Sequence, residues 1–255
     1  MKIAVTGKGG VGKTTFSAIL SCLFASDGRR VIAVDADPDA NLAQALGIKP
    51  DDIKKIKPVA DMTDLIEERT GAKPGSTGEI FKLNPKVDDL PEGIGYKLNG
   101  ITLLVMGKSK PAASGCYCPE NVFLRRLLKH LVLERDEVVI VDMEAGIEHL
   151  TRGTAEAVDA FIVVVEPGQR SIQTANTIKD MAKGLGVKKV FAVVNKVRND
   201  ADMSFVRENL KNIVLLGAIA FSQSLMDADI RGISPFNGAP ESVEEVRKIK
   251  KRLYE

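Results

Sequence analysis

The sequence lacks three features that mark membrane, secreted and nucleic-acid-binding proteins. No apolar run reaches about 18 residues and the chain opens on a strand-like segment, so we expect neither a membrane span nor a secretory signal. Three cysteines in a reducing compartment argue against a disulfide framework. A net charge of +2 provides no global field to attract nucleic acid or anionic lipid. These absences predict a cytoplasmic protein with no nucleic-acid partner and no stable membrane association.

What the sequence does contain is a recurring alternation of short apolar runs and helix-length segments. Most of these runs are apolar throughout, as expected for strands covered on both faces. We therefore predict an α/β fold, a doubly wound and mostly parallel sheet with helices on both faces, in one domain over residues 1–255. Such sheets bind ligands at the carboxyl ends of their strands. The seven predicted strands are KIAVTG, RVIAVDAD, ITLLVMG, EVVIVDM, AFIVVVEP, VFAVVNK and IVLLGAIA.

The alternation of apolar runs and helix-length segments is interrupted over about residues 50–100, where Pro, Gly, Ser and Asp are scattered. We predict an irregular insertion there, with one short helix at 61–70 and a hairpin candidate.

The stretch "GKGGVGKTT", residues 7–15, has the spacing of a phosphate-binding loop. Gly7, Gly12, Lys13 and Thr14 fit the pattern G, four residues, G-K-[ST], between the strand KIAVTG and an apolar helix that starts near Lys13. Glycines let backbone N–H groups point at phosphate oxygens, Lys13 reaches the β- and γ-phosphates, and Thr14 ligates magnesium. The pattern predicts ATP and magnesium as cofactors. The residues predicted to bind the nucleotide here are Gly9, Gly10, Val11, Gly12, Lys13, Thr14 and Thr15.

Two further motifs follow predicted strands. "VVIVDMEAG", residues 138–146, has the pattern of a Walker B strand, in which Asp142 holds magnesium through water and the Gly146 N–H contacts the γ-phosphate. The alternative for Asp142 is the N-cap of a helix near residue 150. Asn195 in "VVNK" is not followed by the aspartate of the Asn-Lys-x-Asp motif typical of GTPases, which favours ATP over GTP.

Lys8 is the less common feature of the phosphate loop. A loop of the form K-G-G-x-G-K-[ST]-T resembles the deviant Walker A motif of the P-loop NTPases that include MinD, ParA, nitrogenase iron protein and the arsenite-pump ATPase, of the SIMIBI type. The resemblance implies a homodimer in which Lys13 binds the phosphates of its own subunit and Lys8 reaches those of the partner. ATP hydrolysis would then depend on dimerisation. The alternative is an incidental solvated lysine.

The same resemblance assigns two more roles. In "VDADPDAN", residues 34–41, Asp37 matches the aspartate that positions the attacking water, so the implied catalytic residues are Lys8, Lys13 and Asp37. Asp35 is then a structural or magnesium-shell residue, and Asp39 a turn carboxylate. Asn195 matches the asparagine that pairs with the adenine edge.

Two cysteines lie close together in "ASGCYCPENVFLRRLLKHL". Pro119 suits the first position of a helix, which places Cys118 at the N-cap, where the helix dipole favours the metal-binding thiolate. Cys116 and Cys118 make half of a four-ligand site, and a symmetric dimer supplies the other half. We predict nickel or zinc shared across the dimer; the alternatives are two inert buried cysteines or a strained local disulfide.

Together the deviant P-loop, the first and second switch segments (residues 34–41 and 138–146), the base asparagine and the C-Y-C triplet resemble the CooC-type ATPases, which mature nickel carbon monoxide dehydrogenase. The resemblance implies a dimeric metallochaperone that couples ATP hydrolysis to nickel insertion, with carbon monoxide dehydrogenase as client. One alternative is a MinD- or ParA-like positioning switch on membrane or DNA. Another is an iron–sulfur electron-transfer ATPase, which is disfavoured because Met143, Glu144 and Ala145 stand where a cluster cysteine is expected.

The remaining candidates are given structural roles. The C-terminal "PESVEEVRKIKKRLYE" carries an apolar stripe, Val243, Val246, Ile249 and Leu253, which we expect to pack against the domain; a membrane-surface helix is the alternative. The other expectations are Cys22 in the core, His130 on the surface, His149 near the second switch, and an interface helix at 168–178.

Overall fold

The computed structural model describes residues 1–74, 80–107, 119–133, 136–144, 155 and 158–254. Within these ranges eight strands form one sheet. They are β1 (Lys2–Thr6), β2 (Val31–Ala36), β3 (Tyr96–Leu98), β4 (Ile101–Val105), β5 (Val138–Met143), β6 (Ala160–Val165), β7 (Val190–Val197) and β8 (Val214–Ala220). Their order in the sheet is β3-β4-β2-β5-β1-β6-β7-β8, and every neighbouring pair is parallel except β3 and β4.

Helices cover both faces of this sheet. The described helices are α1 (Lys13–Ser26), α2 (Leu42–Ala45), α3 (Pro50–Ile53), α4 (Thr63–Thr70), α5 (Leu90–Ile94), α6 (Pro119–Leu133), α7 (Gln169–Gly184), α8 (Asp200–Asn209), α9 (Gln223–Ile230), α10 (Pro235–Gly238) and α11 (Pro240–Arg252). The side chains of successive β1 residues point alternately into two hydrophobic cores, one on each face of the sheet. Ile3 and Val5 pack with α1 and α11, whereas Ala4 belongs to the cluster that includes α6 and α7. The predicted doubly wound α/β fold is therefore confirmed.

All seven predicted strands are present. The eighth, β3, was not predicted as a strand; it lies at the end of the region of about residues 50–100, for which only an unplaced hairpin candidate was given. Strand β3 pairs antiparallel with β4 at the sheet edge, Leu98 opposite Ile101. The two residues between them, Asn99 and Gly100, have φ angles of 45° and 82°. Positive φ at both central residues is the requirement of a type I′ turn, which an Asn-Gly pair satisfies best. The predicted helix at 61–70 is observed as α4.

Two residues on helices test the predicted interior. Cys22 is partly buried against the core that α1 forms, and burial raises the pKa of its thiol to about 11. The expectation for His130 was wrong, because this side chain is buried on α6. It lies three residues after Leu127 and seven after Phe123, on the same apolar face of the helix.

The C-terminal helix α11 packs on β8 and α1. Its stripe of Val243, Val246, Ile249 and Leu253 is buried, as expected. Gly217 of β8 lies directly beneath it, since a Cβ there would come within 2.6 Å of Ile249 Cγ1. The apolar face that a membrane-surface helix would need is therefore already used in the core.

A buried cation also anchors this helix. The Lys250 ammonium pairs with Asp27, donates to Leu23 O at 3.1 Å, and lies 4.6 Å from the centre of the Phe24 ring. Among the described residues, no helix combines the length and apolar character needed to cross a bilayer.

The packing of α11 predicts opposite outcomes for two neighbouring substitutions. Ile249→Ala should lower the free energy of unfolding by about 3 kcal/mol, because it leaves a cavity above β8. Lys248→Ala, at an exposed position, should change it by less than about 0.5 kcal/mol. Chemical denaturation measures both values. Equal small effects would mean that the helix does not pack on the core.

Candidate nucleotide-binding site

The carboxyl ends of β1, β2, β5 and β7 bring the polar motifs together. Lys13 Nζ, after β1, lies 3.8 Å from Asp37 Oδ2, after β2. Asp142 at the end of β5 accepts a hydrogen bond of 3.1 Å from Ser17 Oγ on α1. Asn195 near the end of β7 donates from Nδ2 to Val11 O at 2.8 Å. Residues distant in sequence thus meet at the edge of the sheet where the ligand was predicted to bind.

The phosphate loop depends on two glycines that no other residue would replace without strain. Gly7 has φ 146° and Gly12 has φ 95°. A Cβ at Gly7 would lie 2.3 Å from Val164 O, and a Cβ at Gly12 would lie 2.2 Å from Asn195 Nδ2. Helix α1 then begins at Lys13, with the Phe16 N–H donating to Gly12 O at 3.0 Å. The positive end of a 14-residue helix therefore faces the loop, an arrangement that favours an anion.

Lys13 provides the fixed positive charge of the site. Its side chain is 7% exposed, and that of Asp37 is 19% exposed. Their separation of 3.8 Å is longer than a hydrogen bond. Asp37 Oδ1 accepts instead from the Asp39 N–H at 3.0 Å. A buried ammonium requires close anionic partners, so the position of Lys13 suits phosphate oxygens.

Asp35 has a structural role in this structure. Its Oδ2 accepts from the N–H of Leu42, the first residue of α2, at 2.9 Å, and its Oδ1 accepts from the Asp37 N–H at 3.3 Å. The carboxylate therefore shapes the acidic turn and the start of α2. Burial raises the pKa of Asp35 to about 7 despite these hydrogen bonds, and the neighbouring Asp142 adds to the rise.

Asp142 faces Asp35 across the β2–β5 pair and is fully buried. Burial raises the pKa of Asp142 to about 6, although hydrogen bonds from Thr14 and Ser17 and the charge of Lys13 favour its ionised form. Its second oxygen, Oδ2, is buried and has no hydrogen-bond partner among the described residues. Its described hydrogen-bond donors lie on α1, whereas the helix near residue 150 that it was alternatively expected to cap lies outside the described residues.

The orphaned Asp142 oxygen and the nearby Thr14 hydroxyl form a donor set that fits magnesium. Magnesium prefers oxygen ligands and commonly binds through one carboxylate, waters and substrate phosphates. A buried carboxylate oxygen without a partner gains a compensating interaction if a hydrated cation lies beside it. These two residues would therefore hold the ion that accompanies the nucleotide.

Asn195 borders a cavity of about 690 Å³ that opens beside the phosphate loop. This volume falls within the usual range for small-molecule sites. The Asn195 amide already bonds Val11 O and accepts from the Lys196 N–H at 2.9 Å, so one N–H and one lone pair remain for a base edge. Sequence reasoning missed the apolar wall opposite, although Phe221 directly follows β8. This wall comprises Phe221, Leu225, Met226 and Ile233.

The other predicted site residues lie at the open rim or outside the described ranges. Thr14 and Thr15 line the cavity. Lys8 is half-buried beside the exposed Gly9 and Gly10. Within the described part of the chain, no three His, Cys, Asp or Glu side chains are grouped so that they could hold a metal ion. Gly146, Cys116, Cys118 and His149 lie outside the described residues.

Comparison with known proteins agrees with this geometry. Residues 2–236 match the model of the CobQ/CobB/MinD/ParA nucleotide binding domain. An uncharacterized ATP-binding protein of Methanocaldococcus jannaschii is 47% identical over 252 residues, which cover 98% of this chain and 96% of the relative. The carbon monoxide dehydrogenase accessory protein CooC of Rhodospirillum rubrum is 45% identical over 255 residues, covering 100% of this chain and 97% of that protein.

The solved structure of the MinD cell division protein of Aquifex aeolicus superposes with a TM-score of 0.70 at 21% identity, covering 100% of this chain and 97% of that one. At this identity the likeness shows the fold alone. Fold and phosphate loop together define a P-loop nucleotide-binding protein. More narrowly, the chain belongs to the CobQ/CobB/MinD/ParA nucleotide-binding family, as an ATPase of the CooC type.

The buried carboxylates predict an unusual pH dependence of the ligand-free protein. The folded-state pKa of Asp142 lies above its ordinary value, so ionisation opposes folding and stability is lost as the pH rises from about 4 through about 6. Asp142→Asn should therefore be more stable than the parent at pH 8 by an amount on the order of 2 kcal/mol, with a smaller gain at pH 4.

Urea unfolding across this pH range, without nucleotide or magnesium, measures the effect. Asp51→Asn, at a side chain that is 89% exposed, is the matched control and should follow the parent. Parallel pH curves for Asp142→Asn and the parent would contradict the assignment.

Proposed function

We propose that this chain is a dimeric ATPase that carries nickel as cargo and couples ATP hydrolysis to nickel insertion into carbon monoxide dehydrogenase. The observation that carries the proposal is 45% identity over the full length to an accessory protein of that enzyme. The phosphate loop, with Lys8 beside Lys13, supports the ATP-dependent part. The Cys116–Cys118 pair supports the metal-dependent part.

In the ATP-dependent part, each described residue has a distinct task. Lys13 and the loop N–H groups bind the phosphates of their own subunit, because both lie at the amino end of α1, where the helix dipole favours an anion. Thr14 and Asp142 hold magnesium, which neutralises charge on the phosphates when it is bound. Asp37, 3.8 Å from the Lys13 ammonium, orients the attacking water.

Lys8 is proposed to act on the second subunit. It is half-buried at the rim of the loop, next to the exposed Gly9 and Gly10, whereas the Lys13 side chain is 7% exposed. A cation supplied across an interface to a phosphoryl-transfer transition state increases the rate by about a thousandfold or more. Turnover would thereby be restricted to the dimer.

This division of labour predicts different defects for the two lysines. Lys8→Ala should bind Mg-ATP with little change in affinity and lose about 99% or more of its turnover, because the missing charge acts only in the dimer. Lys13→Ala should instead bind Mg-ATP with much lower affinity. Calorimetry and phosphate release measure the two quantities. Unchanged turnover in Lys8→Ala, at concentrations where the parent dimerises, would remove the proposed trans role.

The metal-dependent part rests on sequence position and symmetry. Pro119 is the first described residue of α6, and proline favours the first position of a helix, so we place Cys118 at the N-cap. A thiol at that position is biased toward the thiolate, which is the form that binds nickel or zinc. Two Cys116–Cys118 pairs related by a twofold axis would provide four sulfur ligands.

We expect one nickel per two chains in the parent, together with nickel-promoted dimerisation. The double variant Cys116→Ser, Cys118→Ser should lose both, because no thiolate remains. Cys22→Ser should keep both, since its thiol is packed against the core formed by α1. Light scattering with parallel nickel and zinc analysis gives mass and metal content in one sample.

The client is tested in the same preparations. Nickel-deficient carbon monoxide dehydrogenase should gain activity from the nickel-loaded parent and Mg-ATP, and not from the double serine variant. ATP-dependent dimers whose metal content is independent of these cysteines would leave an ATPase switch and contradict the metal-carrier proposal. Binding of ATP-loaded dimers to liposomes or DNA by the serine variant would favour a positioning switch.

A further inference from the structure

Strand β7 contains an irregularity next to the phosphate loop. Val194 pairs with Ala218 and Val197 with Ala220, so three residue steps on β7 lie opposite two on β8. Lys196, within this bulge, has φ 60°, a conformation that is uncommon for residues other than glycine. Successive side chains of a regular strand point to opposite faces. Here, Asn195 and Lys196 both contact the phosphate loop.

The two side chains bind consecutive carbonyl groups of the loop. Asn195 Nδ2 donates to Val11 O at 2.8 Å, and Lys196 Nζ donates to Gly10 O at 2.7 Å. The C=O and N–H of one planar trans peptide point in opposite directions. Both carbonyls are held toward β7, so the Val11 and Gly12 N–H groups are turned away from it; the Val11 N–H makes a long hydrogen bond of 3.4 Å to Lys8 O, which a phosphate oxygen could replace.

Lys196 is itself held by a second contact. Its ammonium lies 3.0 Å from Glu166 Oε2, directly after β6. Glu166 is fixed in turn, because its backbone N–H donates to the hydroxyl of the buried Ser171 on α7 at 3.0 Å. One ammonium therefore ties the phosphate loop to the ends of two strands. A charge-assisted pair of this kind resists displacement more than a neutral contact does.

We propose that Lys196, anchored by Glu166, is a positioning residue that sets the Gly10–Val11 peptide for phosphate binding. The inference rests on the proposed nucleotide site and on neither nickel nor a client. The bulge in β7 allows this contact, because it turns the Lys196 side chain toward the same loop that the preceding residue, Asn195, already contacts. Lys196 also lines the cavity beside the loop. Removing its ammonium leaves this peptide free to rotate and lowers nucleotide affinity, while Lys13 and the loop N–H groups proposed to bind phosphate all remain.

The test is the dissociation constant of Mg-ADP, measured by calorimetry on the full chain. Lys196→Met should weaken binding by about tenfold, because both charge-assisted hydrogen bonds are lost. Lys196→Asn should weaken binding to the same extent, because the asparagine side chain is too short to reach Gly10 O. Asparagine tolerates the positive φ at this position, so this variant separates the loss of the ammonium from backbone strain. Lys196→Arg should restore affinity to within about threefold of the parent.

Two comparisons separate positioning from general stability. Glu166→Gln should weaken binding in the parent and add little in Lys196→Met, because Glu166 acts through the lysine. Lys55→Met makes the same chemical change at an exposed ion pair with Asp52 and should leave affinity unchanged. Denaturation midpoints of all variants identify any that are merely less stable.

The inference is overturned if Lys196→Met binds Mg-ADP as the parent does while Lys13→Ala binds far more weakly. It is also overturned if Lys196→Met loses stability without losing affinity, which would make the contact only structural. If Lys13→Ala too binds like the parent, the proposed nucleotide site is wrong and the positioning role falls with it.

Discussion

The close approach of the phosphate loop to β7 is the constraint on which the site depends. Asn195 reaches Val11 O only because Gly12 has no side chain, since a Cβ there would lie 2.2 Å from the amide nitrogen. The positive φ of Gly12 then directs the chain into α1 at Lys13. One tight turn thus determines where the helix dipole, the Lys13 ammonium and the Ser17 hydroxyl lie relative to the carboxylate of Asp142.

The electrostatics of the ligand-free site oppose folding and favour binding. Asp35 and Asp142 are buried side by side on neighbouring strands, and burial raises the pKa of both. Donors on α1 and α2 form hydrogen bonds with oxygens of both carboxylates, but Asp142 Oδ2 has no partner among the described residues. A cation and its phosphates would relieve that cost, so the site is less stable empty than occupied. The same burial that destabilises the carboxylates strengthens their interaction with a bound ion.

Function in this fold is decided by short segments added to a common sheet. The likeness to MinD, at 21% identity, extends over the whole chain and identifies the scaffold alone. In the C-terminal helix, the apolar stripe that a membrane-surface helix would need packs over Gly217 of β8 and against α1. Full-length similarity to a carbon monoxide dehydrogenase accessory protein favours an accessory role over that of a positioning switch.

The sequence by itself determined the elements whose signals are local. Continuous apolar runs predicted the strands, and the loop from Gly7 to Thr15 predicted the phosphate site. The hairpin was predicted without bounds, although the Asn99-Gly100 pair is a local signal that would have placed its turn. His130 was predicted to lie on the surface but is buried, in keeping with its helical spacing from Phe123 and Leu127. Only the tertiary structure decided that the Lys196 ammonium bridges Gly10 O and Glu166 and that Phe221 lines the cavity. These contacts depend on the register of β7 against β8 and on strand order, which are set by pairing between distant segments and leave no mark on local composition.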